Sequence, residues 1–229
     1  MSAPRAVLLE LEGVLVETRD ARRAALARAL AEEGIGVDVV AYDDVAHGLP
    51  VRAAARALAA VADEAIDDVA IELVALRAER HFAESIGTGI VLTDGARDAL
   101  GTLHGVARLG LVTRASRREI EPILDAADAS FLFECIVTSD DVAGTPKPHP
   151  ESYHAAIRRL SRRRTMAPSH AIALEDGRAG IRAARAAGLR CLAVGDVPPF
   201  RALDADGYLP SLRGATLDSL DAAGGNGQQ

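Results

Sequence analysis

Two glutamates near the start of the chain are the residues whose types and spacing most clearly suggest chemistry. The apolar run 6–9 leads into Glu10, one leucine, Glu12 and then Gly13. Side chains alternate along a strand, so positions 10 and 12 share one face of the strand that we predict over Val7–Leu11. Two carboxylates at the end of a buried strand are costly unless a cation or a reaction uses them. We therefore interpret Glu10 and Glu12 as part of a site.

A hydroxyl follows the next predicted strand. Thr113 comes directly after the apolar run Ala107–Val112, with Arg114 beside it and a predicted helix beyond. The N–H groups and the dipole of a helix N-terminus favour an anion, so Thr113 and Arg114 are candidate phosphate ligands. The simpler alternative is an ordinary helix N-cap formed by Thr113 or Ser116. Taken alone, that alternative is the better one.

A lysine and a second acidic pair follow two later strands. Lys147 stands between two prolines in Gly144–Pro150, and these stiffen the backbone and fix the direction of the ammonium group. Glu175 and Asp176 end the apolar run that begins at Ala171, and such paired oxygen ligands suit Mg²⁺. A solvated surface lysine and an acid-decorated helix N-terminus are the alternatives when each motif is considered alone.

The elements that must position these residues alternate along most of the chain. After the first predicted strand come four helical stretches with no strand among them, and strands and helices alternate after that. This order predicts an α/β fold with a doubly wound, Rossmann-like parallel sheet, whose functional loops lie at the carboxyl ends of the strands. The predicted helices are 19–33, 39–48, 51–62, 66–85, 95–103, 117–126, 150–162 and 179–187. The predicted strands after the first are 107–112, 135–138, 171–175 and 191–194.

The same alternation suggests how the chain divides into domains. We expect a core domain from residues 1–18 and 87–223, with a small helical cap inserted at 19–86. The tail 224–229 contains only Gly, Asn and Gln and is predicted to be disordered.

Composition narrows the class of protein. The 229 residues are 49% hydrophobic and 26% charged, as in a globular protein. The net charge of −7 argues against a nucleic-acid-binding surface and favours a small-molecule or protein partner. Cys135 and Cys191 lie in apolar runs, so buried free thiols and a cytoplasmic location are expected. We expect no membrane partner, because no apolar stretch is long enough to span a bilayer.

The combined set of motifs resembles the haloacid dehalogenase superfamily, and within it the branch of β-phosphoglucomutase-like phosphatases and mutases. The resemblance covers nearly the whole chain, including the helical block, which is similar to the cap of that branch. It is carried by Glu10–Thr18, Leu111–Thr113, Gly144–Pro148 and Leu174–Gly188.

The resemblance implies a mechanism and a role for each motif. A carboxylate at position 10 attacks phosphorus, and a second one at position 12 acts as general acid and base. Thr113 and Lys147 hold the phosphoryl oxygens. Mg²⁺ is bound by Glu10, the backbone carbonyl of Glu12 and Asp176, with support from Glu175. The implied substrate is a small phosphorylated metabolite, with a sugar phosphate as the first choice.

The chain departs from the family pattern at its centre, because the family has aspartates at positions 10 and 12. One extra methylene moves a carboxylate by about 1.5 Å when extended. A misplacement of about 1 Å can cost on the order of a hundredfold in rate. An active phosphatase or phosphomutase is therefore one hypothesis. A catalytically impaired protein that binds a phosphometabolite or a protein partner is the other, and dehalogenation is disfavoured because it does not need the magnesium loop.

The predicted cap offers two candidate substrate contacts, His47 and Arg52. The alternatives are that Arg52 is solvated on a helix face and that His47 caps the preceding helix, and we prefer both alternatives. His81 lies in a helical context without metal-ligand spacing and is expected at the surface.

Overall fold

The computed structural model describes residues 5–46, 49–87, 89–142, 144–162, 164–195 and 204–223. The chain forms two compact units. The first consists of Met1–Glu17 and Val91–Gln229, and the second of Thr18–Ile90. The predicted tail 224–229 lies outside the described residues.

The first unit is built on a six-stranded sheet in the order β5-β4-β1-β6-β7-β8, in which every neighbouring pair is parallel. The chain builds outward from β1 on one side and then crosses to the other side at β6, so β1 adjoins the switch point of a doubly wound sheet. This confirms the predicted fold class. The strands are β1 Ala6–Leu9, β4 Arg108–Val112, β5 Cys135–Val137, β6 Ala171–Glu175, β7 Arg190–Val194 and β8 Gly207–Leu209, while β2 Val16–Glu17 and β3 Val91–Leu92 form a separate antiparallel pair.

Helices cover the sheet. The helices of the first unit are α5 Ala96–His104, α6 Arg117–Ala126, α7 Glu151–Leu160, α8 Arg178–Ala186 and α9 Leu217–Ala223. Those of the second unit are α1 Arg19–Ala31, α2 Val39–Ala41, α3 Val51–Val61 and α4 Asp68–Gly87, and a π-helical segment, Tyr42–Ala46, continues α2. None of the helices in the described ranges combines the length and apolarity needed to cross a bilayer.

The central strand β1 is buried along its whole length, as expected when helices cover both faces of a parallel sheet. Leu8 belongs to a core that also includes Tyr153 and Ile157 of α7 and Ile181 of α8. Both cysteines are free and buried, as predicted. This packing fixes the ends of β1 and β6, where the candidate residues lie.

The second unit has its own apolar core between its helices, with Leu30 of α1, Leu58 of α3 and Val74 of α4 fully or almost fully buried. The prediction that His81 lies at the surface is wrong. His81 is buried on α4, and its Nε2 lies 2.8 Å from Oε1 of Glu32. Only the fold brings this carboxylate, which is distant in sequence, to the imidazole.

Candidate functional site

The candidate residues of the first unit gather at the carboxyl ends of three neighbouring strands. Glu10 follows β1, Thr113 follows β4, and Glu175 ends β6. Because β1 pairs with both β4 and β6, these three positions are adjacent across the sheet. The structure thus brings together residues that are up to 165 positions apart, at the edge where doubly wound sheets bind their ligands.

Glu10 turns its side chain back into the protein. β1 ends at Leu9, two residues earlier than predicted, although the Glu10 N–H still donates to the carbonyl of Leu174. Oε1 of Glu10 accepts a hydrogen bond from the backbone N–H of Leu11 at 2.8 Å. Oε2 lies 2.8 Å from Nζ of Lys147, and the residue is buried. Both carboxylate oxygens therefore accept hydrogen bonds from the chain itself.

Lys147 is buried at the centre of the cluster and is the only lysine in the chain. Its ammonium donates to Glu10, to the carbonyl oxygen of Val112 at 2.9 Å and to Oε1 of Glu175 at 2.5 Å. An ammonium group has three N–H donors. In this structure all three are directed at protein oxygens rather than toward a free position for an anion.

Glu175 is held from three sides. Its Oε1 accepts from Lys147 and also from the hydroxyl of Tyr153, 2.5 Å away. Its Oε2 packs against Gly180 of α8, where a Cβ would be too close for van der Waals contact. Gly180 therefore leaves the space that the buried carboxylate fills.

Asp176 connects the two acidic motifs. Its carboxylate packs against Gly13, the residue after Glu12, and a Cβ on Gly13 would clash with it. Gly13 also has a φ of +74°, a conformation that glycine adopts without strain. Only glycine meets both requirements at this position.

The charges of the cluster act on one another. Burial alone would raise the pKa of Glu10, but the neighbouring Lys147 ammonium and the Thr113 hydroxyl outweigh it and hold that pKa below its usual value. Burial raises the pKa of Glu175. Burial, followed by repulsion from Glu175 and Glu10, raises the pKa of Asp176 to about 7. Glu10 is thus the carboxylate that the site keeps ionised most firmly.

The remaining predicted ligands lie around this centre. Thr113 is buried, and its hydroxyl accepts from the N–H of Ala115 at 3.2 Å. The cap of α6 is Ser116, which forms a reciprocal capping box with Glu119. Arg114 is exposed, and its positive charge contributes to lowering the pKa of Glu10. Glu12 is half-buried in the turn that follows Glu10.

The two candidate contacts of the second unit have different outcomes. His47 lies outside the described residues. Arg52 is exposed on α3 and makes a bidentate ion pair with Glu72 of α4, with N–O distances of 2.6 and 2.7 Å. Its guanidinium thus links two helices of its own unit.

The oxygen donors fit a cation that keeps part of its water shell. Within the described ranges, no three Asp, Glu, His or Cys side chains form a ready-made metal cage. Mg²⁺, however, takes only one or two carboxylates and retains several waters. Glu10 and Glu175 both pair with one ammonium, and the charges of these two carboxylates also act on Asp176, so carboxylates outnumber the buried cation. Asp176 and Glu10 are the residues that would hold such an ion, because Oε1 of Glu175 already accepts two hydrogen bonds and its Oε2 is packed against Gly180.

Sequence reasoning missed Tyr153 and Gly180. Neither lies in a strand-end loop, since Tyr153 is in the first turn of α7 and Gly180 is in that of α8. No local pattern distinguishes Tyr153 from a core tyrosine. Its position six residues after Lys147 indicates a role only once the fold places Glu175 of β6 in contact with both residues.

Comparison with known proteins gives a consistent result. The family model described as "haloacid dehalogenase-like hydrolase" matches residues 4–188. Validoxylamine A 7'-phosphate phosphatase from Streptomyces hygroscopicus subsp. limoneus is 31% identical over 214 residues, which cover 91% of this chain and 94% of that protein.

Solved structures show the same fold over almost the whole chain. CbbY from Rhodobacter sphaeroides, in complex with phosphate, has a TM-score of 0.81 at 27% identity and covers 96% of this chain and 100% of that one. A β-phosphoglucomutase from Clostridium difficile has a TM-score of 0.78 at 19% identity and covers 96% and 97% of the two chains. The second likeness concerns the fold alone.

Proposed function

This chain belongs to the haloacid dehalogenase-like hydrolases, and we propose that it is a magnesium-dependent phosphatase or phosphomutase acting on a small phosphorylated metabolite. A sugar phosphate is the preferred substrate class. The observation that supports this most directly is the buried Glu10–Lys147–Glu175 cluster. A buried charge cluster of this kind is costly to maintain, and a reaction on an anionic substrate gives it a use.

Glu10 is the proposed nucleophile. Lys147 lowers the pKa of Glu10 against the effect of burial, so its carboxylate is ionised at neutral pH. In the proposed first step, a Glu10 oxygen forms a bond to phosphorus while the bond from phosphorus to the ester oxygen breaks. Glu12 donates the proton that the leaving oxygen needs. In the second step Glu12 takes a proton from water, which attacks phosphorus and regenerates Glu10.

Lys147, Thr113 and Arg114 supply positive charge and hydrogen-bond donors for the transferring group. For Lys147 to reach a phosphoryl oxygen, at least one of its three present contacts must be exchanged. Magnesium, held by Asp176 and Glu10, would supply charge neutralisation when bound. Two similar proteins support the phosphate-binding roles. One is a phosphatase named for a 7'-phosphate substrate, and the other, CbbY, was solved in complex with phosphate.

One observation favours a second candidate, a catalytically impaired protein that binds a phosphometabolite or a protein partner. Both oxygens of Glu10 already accept hydrogen bonds, from Leu11 and Lys147. A glutamate held in this way must be released before it can attack phosphorus, which adds to the barrier.

Phosphate release from a panel of sugar phosphates, with Mg²⁺ or with EDTA, tests the proposal. We expect Mg²⁺-dependent turnover that Glu10→Ala abolishes. With p-nitrophenyl phosphate, whose leaving oxygen needs no proton, Glu12→Gln should slow mainly the second step, so that acid-quenched protein carries one added phosphoryl group by mass spectrometry. Glu10→Ala provides the control, because it should carry none.

The same assay distinguishes the catalytically impaired protein from the active enzyme. A wild-type protein near background, with a gain of roughly several hundred-fold in a Glu10→Asp, Glu12→Asp double variant, would support impairment by side-chain length. If neither protein turned over and neither bound Mg²⁺, both candidates would be wrong.

A further inference from the structure

We propose that Tyr153 is a positioning residue for the proposed phosphoryl-transfer site, and that it acts through Glu175 on Lys147 and Glu10. The inference rests on the proposed function for its kinetic consequence. Its structural consequence can be measured without any turnover.

Tyr153 contacts the cluster in two ways. Its hydroxyl donates to Oε1 of Glu175 at 2.5 Å, which is the oxygen that also accepts from Lys147. The Lys147 Nζ lies 5.1 Å from the centroid of the Tyr153 ring, within the range of a cation–π contact. One side chain of α7 therefore contacts both the anion and the cation at the centre of the site.

The hydrogen bond from the Tyr153 hydroxyl helps to fix the orientation of the Glu175 carboxylate. Gly180 leaves space for Oε2 but, having no side chain, cannot hold it by a side-chain hydrogen bond. Tyr153 and Lys147 together hold Oε1. Without the hydroxyl, Lys147 would hold Oε1 alone, and the carboxylate would gain freedom to rotate.

Movement of Glu175 would be transmitted to Glu10. The three donors of Lys147 are divided among Glu10, Glu175 and the Val112 carbonyl, so a displaced Glu175 redirects the ammonium. The position of the Glu10 carboxylate then changes with it. A displacement of about 1 Å at a reacting group can cost on the order of a hundredfold in rate, so even a smaller shift is measurable.

Tyr153 has no exposed surface, whereas Glu10 and Lys147 keep 5% and 8%, so we place it behind these residues rather than against the substrate. Its loss should therefore change kcat rather than KM. Tyr153→Phe keeps the ring and its volume and removes only the hydroxyl. We expect kcat to fall about tenfold with KM unchanged, the effect of losing one hydrogen bond to a charged group.

A double-mutant cycle with Glu175→Gln identifies the route of the effect. If Tyr153 acts through the Glu175 carboxylate, Tyr153→Phe should lower kcat much less in the Glu175→Gln background than in the wild type. Tyr208→Phe is the matched control, because the Tyr208 hydroxyl donates to the carbonyl of Gly195, outside the cluster. An equal fall in both backgrounds, or a change confined to KM, would overturn the proposal.

The single lysine provides a test that needs no substrate. Protein labelled with ¹⁵N-lysine gives one side-chain signal, that of Lys147. We expect its ammonium protons to exchange slowly with water in the wild type and in Tyr208→Phe, and about tenfold faster in Tyr153→Phe. An unchanged exchange rate in Tyr153→Phe would refute the positioning role. A faster rate in a protein without turnover would uphold that role and refute only the proposed function.

Discussion

At the scale of single residues, lysine suits position 147 better than arginine because of the hydrogen bonds that it makes there. Its three acceptors come from three different strand ends, and a compact ammonium can address them separately. A guanidinium presents a rigid planar fork that suits bidentate partners, such as the Arg52–Glu72 pair. Of the 26 lysine and arginine residues, only this one is lysine. The choice of side chain thus follows from the geometry of its acceptors.

Replacing Lys147 by methionine should destabilise the protein strongly. The change leaves Glu10 and Glu175 buried without their cation, which typically costs about 3–5 kcal/mol. The free energy of unfolding from urea titrations measures this. Arg52→Met is the matched control, because it breaks an exposed ion pair and should leave the urea midpoint nearly unchanged. Equal losses from the two substitutions would contradict the assigned burial of the cluster.

We predict that the stability of the metal-free protein depends on pH through Asp176. Its folded pKa of about 7 is raised above the ordinary value of 3.8, so the folded state binds the proton more tightly than the unfolded state. The stability from this group is complete below the ordinary pKa and is lost as the pH rises to about 7. In EDTA, Asp176→Asn should remove this loss and be more stable than the wild type by roughly 2 kcal/mol at pH 8, because Asp176 is only partly shielded from water.

Asp141 provides a control of opposite sign for that titration. Its hydrogen bond with Arg159 lowers its pKa to about 2, so its contribution is present above the ordinary value and is lost as the pH falls toward 2. Asp141→Asn should therefore lower stability at neutral pH. If Asp176→Asn and Asp141→Asn changed stability in the same direction at pH 8, the assignment for Asp176 would be wrong.

At the scale of elements, the start of α8 is shaped by the carboxylate beneath it. Glycine in the interior of a helix normally costs stability relative to alanine. At position 180 this cost is offset, because a Cβ would occupy the space of Glu175 Oε2. Glycine at position 180 therefore allows the Glu175 carboxylate, at the end of β6, to pack against the first turn of α8.

Gly180→Ala should lower the free energy of unfolding by about 1–3 kcal/mol, the range for an overpacked core position. Gly101→Ala is the matched control in α5, where a Cβ would have no neighbour within 4 Å. That substitution should stabilise the protein by about 0.5–1 kcal/mol. Chemical denaturation of both variants gives the comparison, and a stabilising Gly180→Ala would contradict the described packing.

The sequence predicted elements best where local signals were strong at both ends. The boundaries of α6, 117–126, and β6, 171–175, were predicted to the residue. Ser116 marks the start of α6 as a cap, and the acidic pair marks the end of β6. The strand β8 was missed because it is a short edge strand of half-exposed residues without a continuous apolar run.

The grouping of the candidate residues at one edge of the sheet was predictable, but their contacts were not. Strand-end positions were enough to group Glu10, Thr113, Lys147 and Asp176, because parallel strands end at one edge. The division of Lys147 among three acceptors depends on side-chain directions that no spacing rule gives. The folding back of Glu10 onto the N–H of Leu11 likewise depends on β1 ending at Leu9.

At the scale of the whole molecule, each unit has an apolar core cluster of its own among the described residues. The first unit holds the sheet and the complete Glu10–Lys147–Glu175 cluster, and the second has a separate apolar core. The two places where the chain passes between the units are adjacent in space. Glu17 of β2 and Val91 of β3 are direct partners in an antiparallel pair.

This pairing predicts that residues 18–90 can be replaced by a hairpin loop of roughly two to four residues. The paired ends need only a tight turn to connect them, and among the described residues the core cluster that packs α7 and α8 against the sheet contains none from the deleted segment. The shortened protein should unfold cooperatively in urea, with the ¹⁵N signal of Lys147 at its wild-type position, because Glu10, Val112 and Glu175 are all retained. A shortened chain with Lys147→Met is the control and should lack that signal. A non-cooperative transition, or a Lys147 signal that exchanges as fast as a free amine, would show that the buried cluster needs the second unit to form.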